Sequence, residues 1–414
     1  MSDTAPREAS PPRFAAPSLI AVIFINMLGF GIIVPLLPFY GKSFNAEPWQ
    51  IALVFSAYSA GAFFGEPFWG RLSDRYGRKP LLVTTTVGNM LCFLALTLAP
   101  NVWVALGIRF LGGMASGNGA VIQGYIADVT PSERRARTMG FMGAAWNIGL
   151  IVGPSLGGLF AHPEAGPIGF QIPLYIAAGF SGVSALSIAL FIRESRDRQP
   201  IEENPASRWA VTGEVMRHPV IGRLMWLTFL VGFAFTGIES QFGLWAQARF
   251  GWGPKEIGLC FAFVGIASAF TQTFVTGPLS ERFGAGRMLA AGMALTLVGL
   301  AFQPLSQGAP MVIALMCLTA IGQSVAWPNV SAMISDTADE DRQGQIFGLN
   351  NATGALSRVV GPFCAGLSFA GISHNAPFIL GALIVAPSIW LAMIAAREAE
   401  AWRRRQLSGD TGAA

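Results

Sequence analysis

Four ionisable side chains lie inside otherwise apolar stretches of this 414-residue chain: Glu66, Arg109, Glu239 and Arg358. A charge at the centre of a bilayer costs about 2.5–3.5 kcal/mol on insertion scales, so each is a candidate for chemistry that requires it. Two carboxyl groups and two guanidiniums suit reversible protonation beside a fixed positive charge. A carboxyl group can be neutral in one conformation and charged in another. Glu239 fits this best. It stands in Gly237-Ile238-Glu239-Ser240-Gln241, among Phe233, Phe235, Phe242 and Trp245. Glu66, followed by Pro67, is either a reserve proton carrier or a carboxylate that anchors the next loop. If Arg358 neutralises Glu239, the two titrate as a coupled pair. No P-loop, H-E-x-x-H or C-x-x-C pattern is present, and His162, His218 and His374 fall at helix ends or loops. The chain therefore reads as no enzyme, with no cofactor and no metal, and ion gradients are its available energy source.

The elements that hold these groups follow from composition. Hydrophobic residues are 52% and charged residues 12%, with a mean hydropathy of +0.51, which is a chain dissolved in lipid. Cys92, Cys260, Cys317 and Cys364 fall in apolar runs and read as small buried hydrophobes. A helix needs ~20 residues to span a membrane. Apolar runs of that size occur at about 17–40, 50–70, 80–99, 101–126, 138–161 and 170–192, and again at 220–247, 255–280, 287–306, 310–334, 345–370 and 376–396. The first is too long for a signal-peptide core. The expected fold is an all-α membrane protein of twelve transmembrane helices. Its parts are a disordered tail (1–16), a six-helix bundle (17–193), a cytoplasmic linker (194–219), a second six-helix bundle (220–397) and a C-terminal tail (398–414).

Charge placement orients the chain. Of the 27 Lys and Arg, Lys42, Arg249 and Lys255 fall on one side of this map and Arg109 and Arg358 inside it; all the rest fall on the other side with both tails. Both termini are therefore expected in the cytoplasm. The chain also repeats itself: the segment 70–77 (G-R-L-S-D-R-Y-G) returns as 277–284 (G-P-L-S-E-R-F-G), and 128–140 aligns with 336–348. Six helices per half give two parallel bundles related by pseudo-two-fold symmetry, an arrangement that places substrate between the halves near the midplane.

Gly70, Asp74, Arg75, Gly77, Arg78 and Lys79 form G-x-x-x-D-R-x-G-R-K between two apolar runs. This resembles the loop between helices 2 and 3 of the major facilitator superfamily. The resemblance implies that Asp74, beyond the end of helix 2, binds the N-terminus of helix 11 near Gly344 and Gln345, and that the arginines reach Asp128, latching the cytoplasmic side. In helix 5, Gly140, Gly149, Gly153, Pro154, Gly157 and Gly158 make a small-residue face for close packing. The spacing is similar to the motif of proton-coupled antiporters of that superfamily, the drug exporters. Arg109, opening R-F-L-G-G in helix 4, resembles an arginine to which a part in proton transfer is attributed.

The segment Gly29-Phe30-Gly31-Ile32-Ile33-Val34-Pro35 is similar to the opening helix of the tetracycline-exporter group. Asn26 and Cys92 stand where that group carries aspartates, which makes a metal–tetracycline complex a poor fit. Polar groups expected to face the substrate are Asn26, Gln123, Trp146, Asn147 and Gln272. Trp327, Asn350 and Asn351 are expected there too. Helix 7 repeats helix 1, so Gln241 and Trp245 join them. The expectation is a monomeric secondary transporter of the bacterial inner membrane, with protons, a small-molecule substrate and the lipid bilayer as its partners and no nucleic acid. It would export an amphipathic organic compound or drug. The alternative is a proton-coupled or facilitative carrier of a native metabolite such as a sugar, organic acid, lipid-like compound or siderophore.

Overall fold

The computed structural model describes residues 15–117, 119–130, 145, 148, 149, 151–195, 218–337 and 343–408. Among these residues secondary structure is helical throughout. The first half contains α1 (Ala15–Ile33), α2 (Leu37–Lys42), α3 (Pro48–Tyr76), α4 (Arg78–Leu96), α5 (Val102–Ser116), α6 (Gly119–Val129), α7 (Ile151–Phe160) and α8 (Gln171–Phe191). The second half contains α9 (Pro219–Phe250), α10 (Pro254–Phe270), α11 (Gly277–Phe283), α12 (Ala285–Phe302), α13 (Ala309–Thr337), α14 (Gln343–Gly371) and α15 (Ala376–Ser408). Among the described residues, eight helices are long and apolar enough to cross a membrane. The 29-residue α14 is not among them, because Asn350, Asn351 and Arg358 interrupt its apolar sequence.

Three expected spans are broken, each for a local reason. The run at 17–40 stops at Ile33 and resumes at Leu37. Pro35 has no N–H to give the carbonyl of Gly31, so the ladder cannot continue. The run at 101–126 breaks after Ser116, where Gly117 has φ −66° and ψ 32°. There a Cβ would come within 2.6 Å of the Glu66 backbone nitrogen, so α3 occupies the space a side chain would need. The run at 255–280 contains a π-helical segment, Thr271–Thr276, between α10 and α11. The Thr276 hydroxyl donates to the carbonyl of Thr271 at 3.1 Å or to that of Ser324 at 3.3 Å. The last helix continues past the end of its apolar run to Ser408.

The repeat in sequence is a repeat in geometry. Gly77 ends α3 at φ 100°, ψ 158°, and Gly284 ends α11 at φ 86°, ψ 145°. Each donates its N–H four residues back, to Ser73 and Ser280 respectively. Glycine adopts this left-handed region readily, whereas other L-residues do so at a cost.

Helix pairs pack through glycine. Gly61 and Gly65 of α3 face Phe110 and Met114 of α5, while Gly113 faces Tyr58 in return. Within the second half α9 packs on α14, and α12 on α13 and α15. Between the halves α3 packs on α14.

Candidate functional site

Arg358 lies on α14, the helix that packs on both α3, which carries Glu66, and α9, which carries Glu239. It interacts electrostatically with Glu66 of α3, in the first half, and with Glu239 of α9, in the second. Arg358 is exposed and the two glutamates are half-buried. The indole of Trp327 joins them: a Cβ on Gly354 would lie 3.2 Å from that ring and 3.6 Å from Arg358 Nη1. The fourth charge lies on α5. Arg109 is 3% exposed, and its guanidinium lies 4.2 Å from the centroid of the Tyr58 ring. A buried cation over an aromatic face gains about 2 kcal/mol, which offsets part of its desolvation. Its Nε has no partner among the described residues.

Other expected lining residues divide by burial. Gln123, Gln272, Asn351 and Trp327 are exposed. Asn26 is half-buried with an unpartnered Oδ1. Three others belong to packing in this conformation. Asn350 is 3% exposed and accepts the Thr228 hydroxyl at 2.7 Å, which ties α14 to α9. Trp245 is fully buried; its Nε1–H donates to Asn375 Oδ1 at 2.8 Å and its ring packs on Phe242, Phe250 and Phe378. Gln241 is fully buried beside Ser240. The expectation that Gln241 and Trp245 face an open substrate path is therefore corrected: their side chains point into the core. Trp146, Asn147 and Gly140 lie outside the described residues.

The charged loop forms a network. Asp74 lies in the last turn of α3, not beyond it, and its carboxylate meets Arg78 at 2.9 Å. Arg78 is buried, and its guanidinium also reaches Ser73 Oγ at 2.5 Å and Asp128 at 3.4 Å, resting over Gly124. The arm to Asp128 is the one the motif implied. The side chains of Gly344 and Gln345 lie outside the described residues. Arg75 is exposed, over Tyr76 at 5.3 Å, and Lys79 opens α4.

Glu194 is the member of this network that the motif does not contain. Its carboxylate accepts from the backbone N–H of Arg78 at 2.7 Å and of Lys79 at 3.1 Å, filling the anion site at the N-terminus of α4. The next residue, Ser195, donates to Asp128 at 3.0 Å. The only sequence signal for this role is that Glu194 is the first acid past the sixth apolar run.

The glycines of the fifth run pack on both sides. A Cβ on Gly149 would lie 2.7 Å from Met27 Cβ, and one on Gly153 2.7 Å from Gly31 Cα, both on α1. Gly157 meets the Ile32 carbonyl, and Gly158 meets the Pro254 carbonyl of the other half. Pro154 abuts Gly258 of α10. The last contacts belong to a seal between the halves at the end away from the charged loop. There Gly243 faces Pro38, Lys42 Nζ donates to Gln247 Oε1 at 2.6 Å, and Gly366 meets Ala52.

Eight apolar helices long enough to cross a membrane, with charged side chains set among them, define a membrane transporter. The family model of the Major Facilitator Superfamily matches residues 19–272 and 228–412, and the chain belongs to that family. Tetracycline resistance protein, class C, of Escherichia coli is 29% identical over 396 residues, covering 93% of this chain and 97% of that protein. Multidrug resistance protein 2 of Bacillus subtilis is 25% identical over 382 residues, covering 91% and 94%. The crystal structure of the human organic anion transporter MFSD10 (TETRAN) superposes with a TM-score of 0.70 at 20% identity, covering 92% of this chain and all of that one. The chain is a multi-pass membrane transporter and not an enzyme.

Proposed function

We propose that the chain exports a small amphipathic organic compound in exchange for protons, by alternating access. It would have twelve spans in two six-helix bundles related by a pseudo-two-fold axis and both termini in the cytoplasm. It would act as a monomer in the bacterial inner membrane. The observation that carries this reading is the position of Arg358 on α14, the helix that packs on α3 with Glu66 in the first half and on α9 with Glu239 in the second. A proton taken by Glu239 or Glu66 changes what Arg358 can pair with, and so couples protonation to the relation between the halves. The names of the relatives support a drug-like substrate. Asn26 and Cys92, neutral where tetracycline exporters resemble one another in carrying acids, argue against a metal–tetracycline complex and keep a native metabolite as the second reading.

The test is transport in proteoliposomes of the purified protein. With an inside-acid gradient, a panel of amphipathic dyes and antibiotics is expected to yield a compound that accumulates and is released when the gradient is collapsed. Accumulation of sugars or organic acids, with none of the amphipathic compounds moved, would favour the metabolite carrier instead.

A further inference from the structure

A groove with a volume of about 650 Å³ lies on the second half, away from the charged site. One wall is the row Thr271, Val275, Leu279 and Phe283, four residues apart through the π segment and α11. The facing wall is the row Arg287, Ala291 and Leu295 on α12, and α13 supplies the floor with Ile321 and Val325. At 1.5 Å per residue the α12 row is ~12 Å long. The groove is apolar along that length and charged at one end only. Arg287 lines that end, and the Arg282 guanidinium lies 5.3 Å from the centroid of the Phe283 ring at the same end. Both arginines are exposed, and among the described residues neither joins an ion pair. Glu281 beside them is exposed too, which leaves the cluster with a net positive charge. The N-terminus of α12, at Ala285, adds its positive end.

From this one-ended charge we infer that the groove is the seat of an anionic phospholipid. One acyl chain lies along the two rows, and the phosphate is held by Arg287 and Arg282. Basic pockets between membrane helices at the cytoplasmic side suit anionic headgroups, and each basic residue near the surface contributes about 1 kcal/mol, or about five-fold in affinity. An uncharged lipid fills the apolar part equally well, so preference between headgroups is the discriminating property.

Native mass spectrometry of the full-length protein, equilibrated with equal phosphatidylglycerol and phosphatidylcholine of identical acyl chains, reads that preference. The expected result is one retained phosphatidylglycerol, favoured at least about five-fold. Arg282→Ala with Arg287→Ala should bring the ratio near one while total lipid retained stays similar. Ala291→Trp, or Ala291→Leu if the larger side chain impairs folding, should lower retention of both lipids by filling the groove. Equal retention of the two lipids by the unmodified protein, or an unchanged preference in the double arginine variant, would overturn the inference.

Discussion

Arg358 stands on the helix where the two halves meet, α14, which packs on α3 with Glu66 and on α9 with Glu239. If Glu239 is the proton carrier, Glu239→Gln fixes the neutral form. The expected outcome is loss of gradient-driven transport with substrate binding retained and no longer varying with pH, measured by fluorescence or radioligand binding across the neutral range. Should Glu239→Gln pump normally while Glu66→Gln does not, the proton belongs to Glu66. The candidates were legible in sequence because a charge in an apolar run is expensive and therefore conspicuous. What the sequence hid was direction: Gln241 and Trp245 lie only a few residues from Glu239 on the same helix yet turn into the core. Helical spacing alone does not say which face is the core when both faces are apolar. Glu194 was hidden for a different reason. Its partners are backbone N–H groups at a helix start distant in sequence, and these carry no side-chain signature.

At the scale of elements, the two copies of the charged loop invite a paired test. Gly77 and Gly284 share a left-handed φ, so alanine at either position costs ~1–2 kcal/mol of backbone strain. At Gly77 the added Cβ also meets the Glu194 carboxylate, while at Gly284 it meets open space. Gly77→Ala is therefore expected to lower the apparent thermal midpoint in detergent more than Gly284→Ala, and equal shifts would deny Glu194 its place at α4. The glycine face of the fifth run gives a second comparison. Gly157→Leu pushes a side chain into the Ile32 carbonyl and should cost more than the ~1–3 kcal/mol of ordinary overpacking, abolishing a stable monodisperse protein. Gly107→Ala, on an open face, should be silent. The twelve apolar runs were visible as runs, but the break at Gly117 and the π segment were not. Each arises from the fit of one helix against another, which local propensity does not encode.

The whole molecule is closed at one end by pairs drawn from both halves: Pro38 with Gly243, Lys42 with Gln247, Ala52 with Gly366, and Gly158 with Pro254. Alternating access requires this seal to open in every cycle. A Cβ on Gly243 would lie 3.3 Å from Pro38 Cβ, close to the separation a disulfide spans. In a background with Cys92, Cys260, Cys317 and Cys364 replaced by alanine, Pro38→Cys with Gly243→Cys should cross-link on oxidation. The decisive measurement is accumulation of an identified substrate by proteoliposomes of this variant under an inside-acid gradient, before and after oxidation. Gradient-dependent accumulation is expected when the pair is reduced, with its loss when the pair is cross-linked and recovery with a reductant. Undiminished accumulation by fully cross-linked protein would contradict alternating access.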